Sequence, residues 1–198
     1  DMIKRILLIT FLFFALACFG QEQMIEIAKN YIENKCDKSF DEVLLVSVKN
    51  QKMYHTKQGK VLSEYVISSS VYGEGSKDGS NKTPLGLHKV KSKFGDKTPI
   101  NGKMIGRVFY GKIATIYTGN TKSKTDDVLS RILWLEGMEE GLNKGEGIDS
   151  YSRYIYIHGT SEEGQLGKPA SHGCIRMKNK EVIELYERIK IDTLVLIL

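Results

Sequence analysis

The hydrophobic pattern of this chain changes period several times. An unbroken apolar stretch runs from Ile6 to Ala17. Gln21 to Asn34 then shows helical spacing, with Met24, Ile27, Ala28, Tyr31 and Ile32 on one face. From Val43 the period shortens. Val43 to Val48 is a β-branched apolar run, Lys52 to Thr56 alternates after a turn at Asn50-Gln51, and Val61 to Ser68 follows a turn at Gly59. This stretch predicts three strands in antiparallel hairpins.

Further along, Gly73 to Asn81 reads as an exposed loop, Leu87 to Val90 as a strand and Gly95 to Gly106 as another loop. Strands are expected near Val108-Tyr110, Ile113-Tyr117, Arg131-Leu135 and Tyr154-His158. The glycine-rich Gly137 to Ser150 is expected to be a long loop, and such loops in small domains are usually functional or disordered. Asn179 is placed to cap a helix from Lys180 to Ile189, whose Val182, Leu185, Tyr186 and Ile189 share a face. Leu194 to Leu198 closes the chain as an apolar strand. The pattern predicts one mainly β domain with a few peripheral helices, without repeats.

Composition adds little to that picture. With 198 residues, 41% hydrophobic and 27% charged, the chain can bury a core without disulfides. The net charge of +5 is modest and dispersed, with no basic stripe interleaved with aromatics, so no nucleic-acid partner is expected.

The N-terminus changes more. Lys4-Arg5, the apolar Ile6 to Ala17, and the small residues Ala15, Ala17 and Gly20 have the layout of a cleaved export signal over residues 1–20. As a helix the apolar stretch would span about 18 Å, short of a ~30 Å hydrocarbon core. A short membrane anchor is the alternative to cleavage, and because Ala15-Leu16-Ala17-Cys18 is an imperfect lipoprotein box, lipidation of Cys18 is a third. Membrane contact is expected only by these routes, with residues 21–40 a helical extension and 41–198 the main domain. Export permits disulfides, but cleavage after Gly20 leaves only Cys36 and Cys174. Cys36 lies in a polar segment outside the strands and is expected to be unpaired, leaving Cys174 a free thiol.

The candidate chemistry lies in Ser171-His172-Gly173-Cys174-Ile175-Arg176-Met177, with His158-Gly159-Thr160 upstream. A thiol becomes a useful nucleophile when an imidazole or helix amide assists it, and flanking glycines let a substrate carbonyl approach. Alternation puts Ile155 and Ile157 on one side of their strand, with Tyr154, Tyr156 and His158 on the other. His158, at a strand end beside a glycine, is better placed as the base than His172, two residues from the cysteine in a tight turn. His55 and His88 default to structural roles. A zinc site would use similar residues, but no HExxH, second CxxC or helical histidine pair is present, so no metal is expected. A papain-like arrangement is disfavoured because the cysteine follows the histidine near the C-terminus.

His158-Gly159 followed by Ser171-His172-Gly173-Cys174-Ile175-Arg176-Met177 resembles the signature of the L,D-transpeptidase catalytic domain of the YkuD type. Thr83-Pro84-Leu85-Gly86 resembles that family's upstream Thr-Pro-x-Gly segment. The resemblance implies a sandwich-like or open-barrel mixed β-sheet, located in the periplasm or cell envelope of a bacterium. It implies a monomer without cofactor that acts on peptidoglycan stem peptides. By the same resemblance, Cys174 is the nucleophile, His158 the base, and the Gly159 carbonyl orients the imidazole. His172, Gly173 and the Cys174 amide line an oxyanion site, and Ser171 and Arg176 bind substrate.

The implied reaction releases D-alanine from a tetrapeptide through a thioester and forms a direct cross-link between third residues. Hydrolysis of the same thioester, or transfer to a protein or D-amino acid, shares that intermediate. A non-catalytic wall-binding module is disfavoured by the intact Cys174, His158 and His172.

Overall fold

The computed structural model describes residues 23–35 and 41–198. The expected leader, Cys18 and Cys36 lie outside the described residues. Helix α1 covers residues 23–33 and packs Ala28 and Ile32, with Met24 and Tyr31 beside them, against Val43, Leu45 and Tyr54. Ile27 departs from the expected face. It is 50% exposed, and Ile25 packs in its stead. At about 100° per residue, Ile25 lies ~60° from Ala28 around the axis whereas Ile27 lies ~100° away.

Strands β1 (Glu42–Ser47), β2 (Lys52–Lys57) and β3 (Lys60–Val66) form the expected antiparallel hairpins. β1 is buried on both sides: Leu44 and Val46 enter the main core while Val43 and Leu45 meet α1. Burial on both faces explains its continuous apolar run. The remaining strands are β4 (Gly86–Phe94), β5 (Gly102–Ile105), β6 (Val108–Ile113), β7 (Val128–Gly137), β8 (Tyr156–Gly159), β9 (Ile175–Met177) and β10 (Leu194–Ile197). A 3₁₀ turn, η1 (Glu163–Gln165), and helix α2 (Asn179–Arg188) complete the elements.

The strands form one mixed sheet in the order β3-β2-β1-β10-β4-β7-β5-β6. β8 pairs antiparallel with β7 and carries β9 in parallel. β10 inserts between β1, to which it is parallel, and β4. Residues from β1, β4, β7, β8, β9 and β10 share one core with Val182, Leu185 and Tyr186 of α2. Beyond β3 and toward β9, Ser68 and Arg176 exchange backbone hydrogen bonds of 3.0 and 2.9 Å as an isolated bridge. This bridge and a second isolated one between Ser70 and Ser171 do not make a ladder, so the sheet stays open, as the open-barrel expectation describes.

Three expectations need correction. Gly102–Ile105, read as loop, is strand β5, because pairing with β6 and β7 overrides its poor intrinsic preference. β6 ends at Ile113, so 114–117 is irregular; its Tyr117 instead exchanges backbone bonds with Ser161 and Gly164 beside η1. Asn179 is the first residue of α2 rather than its cap. Its amide N–H donates to the Glu163 carboxylate at 2.8 Å, and its side chain bonds Thr160 and Ser130. An acidic group at a helix N-terminus is itself favourable.

Candidate active site

β8 and β9 run side by side with Ile157 opposite Ile175 and His158 opposite Arg176. Ile157 and Ile175 point into the main core. By alternation, Tyr156, His158, Cys174 and Arg176 share the other face. Cys174 sits just ahead of β9, its sulfur against the backbone of the neighbouring segment. The Tyr156 amide donates to Sγ at 3.4 Å, and the thiol donates to the Tyr154 carbonyl at 3.4 Å.

His158 is 1% exposed. Its Nδ1 lies 2.7 Å from the Gly159 carbonyl oxygen. Only a protonated Nδ1 can donate there, so that contact fixes the tautomer and leaves the lone pair on Nε2. Gly159 has no room for a side chain: a Cβ would overlap Asn179 Oδ1 and lie 2.9 Å from the Leu129 carbonyl oxygen.

Burial pushes the Cys174 thiol up to about 12; the Tyr156 amide opposes this and the Asp126 charge adds to it. The residue nevertheless keeps intermediate exposure, so a route to solvent remains. Burial also lowers the His158 imidazole, against the pull of Asp126 and the Gly159 carbonyl. Both groups are therefore neutral at pH 7, a thiol and an imidazole rather than an ion pair.

The loop before Cys174 is held from two sides. The Ser171 hydroxyl donates to the Cys174 carbonyl at 2.6 Å and accepts from the Gly173 amide at 3.2 Å. The Gly173 carbonyl accepts from the Thr83 hydroxyl at 3.0 Å, and Thr83 in turn accepts from the Ser70 amide. Gly173 has φ +122°, a conformation that side-chain-bearing residues rarely adopt. This gives the Thr83-Pro84-Leu85-Gly86 segment a physical role as a buttress for the cysteine loop.

The structure places Ser171 and Arg176, both expected to meet substrate, in buried positions with their polar ends engaged. Ser171 is 0% and Arg176 2% exposed. Arg176 Nη2 pairs with Asp126 Oδ1 at 2.6 Å and Nη1 with Glu162 Oε2 at 2.7 Å. His172 is exposed, with Nδ1 2.7 Å from Asp126 Oδ2 and its ring 5.6 Å from that of Tyr72. Burial alone would raise the Asp126 carboxyl, but Arg176, with smaller contributions from His158 and His172, carries it below the usual range.

Asp126 and Glu162 are the site residues that the sequence reading missed. Asp126 arrives on the irregular segment after β6, distant in sequence from the motif, and no local pattern marks it. Glu162 lies close behind His158-Gly159 and could have been considered as a counter-charge for Arg176.

The Gly137–Ser150 stretch is irregular, as expected, but tied down. Asn143 donates to the carbonyls of Leu85 and Leu87, at 2.9 and 3.1 Å, and accepts from the Glu139 amide. His88 Nδ1 meets the Gly86 carbonyl at 2.9 Å, and its Nε2 accepts from the Ser150 hydroxyl at 2.9 Å. His55, also expected to be structural, is buried with Nε2 2.7 Å from Glu42. Among the described residues no group of three or more His, Cys, Asp or Glu is arranged to hold a metal ion. Among them, too, no helix is long and apolar enough to cross a membrane.

Residues 41–197 match the YkuD family, described as the L,D-transpeptidase catalytic domain. A 45-residue segment is 54% identical to the candidate L,D-transpeptidase YqjB of Bacillus subtilis (strain 168), covering 23% of this chain and 26% of that protein. A 37-residue segment is 57% identical to the candidate L,D-transpeptidase YkuD of the same organism, covering 18% and 23%. The chain thus aligns with about a quarter of each of these relatives. Among solved structures, it is similar to an L,D-transpeptidase from Xylanimonas cellulosilytica DSM 15894, with 19% identity and a TM-score of 0.48 over 83% of this chain and 63% of that one. It is also similar to L,D-transpeptidase 3 from Mycobacterium tuberculosis, with 16% identity and a TM-score of 0.49 over 80% and 61%.

Proposed function

Because the chain belongs to the L,D-transpeptidase catalytic domain family of the YkuD type, we propose that it is a cysteine acyltransferase acting on peptidoglycan stem peptides. The observation that carries this reading is the 2.7 Å contact between His158 Nδ1 and the Gly159 carbonyl. It leaves Nε2 unprotonated on the strand face that also carries Cys174.

In this mechanism the thiol stays protonated until a donor tetrapeptide binds. Nε2 takes the thiol proton as Sγ attacks the carbonyl of the third residue. When the tetrahedral intermediate collapses, the C–N bond to D-alanine breaks, His158 returns the proton to the departing amine, and a thioester remains. The side-chain amine of a second stem then attacks the thioester, passing its proton through His158 and restoring the thiol. The product is a cross-link between third residues.

Neutral Cys174 and His158 suit this order of events, since no charge is buried before the substrate arrives. The Cys174 backbone amide, with His172 at the rim of the turn, would face the developing oxyanion, while the Gly173 amide is held by Ser171; one such donor is worth about 3 kcal/mol. Ser171 and Arg176 act as positioning residues, because the Ser171 hydroxyl already serves Gly173 and Cys174 and the Arg176 guanidinium already pairs with Asp126 and Glu162. The N-terminal leader pattern supports an exported enzyme that meets its substrate outside the cytoplasmic membrane.

The test is incubation of the protein with purified disaccharide-tetrapeptide and mass analysis of the products. A dimer lacking one D-alanine is expected, with turnover abolished in Cys174→Ala and reduced to a trace in His158→Ala. A tripeptide monomer alone would instead identify a hydrolase. Unchanged activity in Cys174→Ala would overturn the nucleophile.

A further inference from the structure

Beside the thiol lies an aromatic floor that the acyl-transfer steps leave unused. Trp134 of β7 and Tyr156 of β8 meet edge to face with centroids 5.5 Å apart, and Cys174 packs against the cluster they help form. Tyr154, 55% exposed, carries that floor outward, its ring 5.5 Å from Trp134. Its φ of +56° keeps it out of the strand conformation, at the point where its carbonyl meets Sγ.

Over this floor lies the guanidinium of Arg107, delivered by the Gly106-Arg107 turn between β5 and β6, where both residues have positive φ. Its carbon is 4.5 Å from the Trp134 ring centroid and 5.8 Å from that of Tyr154. Nη1 donates to the Tyr156 hydroxyl at 3.3 Å. Among the described residues no carboxylate pairs with Arg107, and that phenol is its one hydrogen-bond acceptor. Arg176, by comparison, is closed by two carboxylates. With its carbon seated over the indole and one donor spent on the phenol, the guanidinium keeps donors that can take a carboxylate through two hydrogen bonds.

We propose that Arg107 is the receptor for a free carboxylate on the acyl part of the donor stem peptide, the part that stays on Cys174 after D-alanine leaves, within side-chain reach of the carbonyl presented to Cys174. The proposal rests on the acyl-transfer reading and adds a substrate preference to it: donors carrying that carboxylate are accepted over donors in which it is amidated. An amide cannot make the same charge-assisted pair. Besides the D-alanine carboxylate, which departs with the leaving amine and is common to every tetrapeptide donor, two groups of the retained stem have this chemistry: the far end of a diamino third residue and the α-carboxylate of the second residue.

The experiment uses three synthetic tetrapeptide donors: one with both carboxylates free, one amidated at the third-residue side chain, and one amidated at the second residue. Acylation of Cys174 is followed by intact-protein mass in the wild type, Arg107→Gln and Arg107→Lys. The wild type is expected to disfavour one amidated donor by about tenfold or more, mostly in KM. The donor it disfavours identifies the carboxylate. Arg107→Gln should lose that preference at an unchanged melting temperature, and Arg107→Lys should keep part of it. Equal acylation of all three donors by the wild type overturns the inference and leaves the acyl-transfer reading standing. So does an equal slowing of all three in Arg107→Gln, which would mark a packing role. Failure of every donor to acylate the wild type removes both.

Discussion

Asp126 holds the guanidinium of Arg176 at 2.6 Å, although the two residues come from distant parts of the chain and Arg176 is almost wholly buried. With Glu162 on the other nitrogen, the arginine clamps the irregular segment after β6 to β9, directly behind the cysteine loop. Removing one partner of such a group leaves uncompensated buried charge, which costs about 3–5 kcal/mol. Arg176→Ala is therefore expected to lower the midpoint of urea unfolding sharply. Asp126→Asn, which keeps a hydrogen-bond acceptor, should cost less while freeing the His172 ring. Equal, small effects of both would show that the clamp is not structural.

The thiol should behave as a thiol. With Cys174 pushed up to about 12, its alkylation by iodoacetamide should be slow at pH 7 and still rise about tenfold per unit through pH 10, following the thiolate fraction. An inflection between pH 6 and 9 would show instead a thiolate already formed in the resting enzyme.

Turnover has the opposite limb. In the proposed mechanism the base works as neutral imidazole, and His158 is held below its ordinary 6.5. The ratio kcat/KM should therefore stay level below pH 6.5 and fall only as the pH drops through the lowered value. A fall that begins above pH 7 would contradict this.

Gly159 is predicted to be intolerant of any side chain. A Cβ there meets Asn179 Oδ1 and the Leu129 carbonyl, the first a buried hydrogen-bonding hub and the second main chain. Gly159→Ala should destabilise the domain by about 1–3 kcal/mol and should reduce acylation further, by tilting the His158 ring. A thermal melt combined with the acylation rate separates the two effects.

His88 gives stability a second pH dependence. Burial lowers its pKa to about 4 from 6.5. Between those values the unfolded chain binds the proton and the folded one does not, so stability falls as pH drops from 6.5 toward 4. The loss from this group is on the order of 3 kcal/mol by pH 4. His88→Gln should be less stable at pH 7, where its bonds to Gly86 and Ser150 are disturbed, yet show a shallower acid slope. An unchanged slope in urea titrations across that range would rule the histidine out.

Most of the strands were legible because their patterns reflect burial. β1 is continuously apolar since both of its faces are covered, and β2 alternates less strictly. The same logic failed for Gly102–Ile105, where two glycine-adjacent positions become strand only because β6 and β7 supply the pairing. It also failed for Ile27, where the helical face depends on the angle at which α1 meets the sheet. Asn179 was recognised as important for the wrong reason: its side chain serves Thr160 and Ser130, while Glu163 provides the cap.

The sequence by itself determined the local chemistry: a cysteine in a glycine-bracketed loop, and a histidine at a strand end directly before a glycine. These depend on neighbours in the chain. Only the tertiary structure decided that the β8–β9 pairing brings Cys174 and His158 to one face, that Arg176 is closed by Asp126 and Glu162, that Thr83 supports Gly173, and that both Cys174 and His158 rest uncharged. Each of those depends on which distant segments share a buried volume, and a pKa or an ion pair is set by that shared surrounding rather than by adjacent residues.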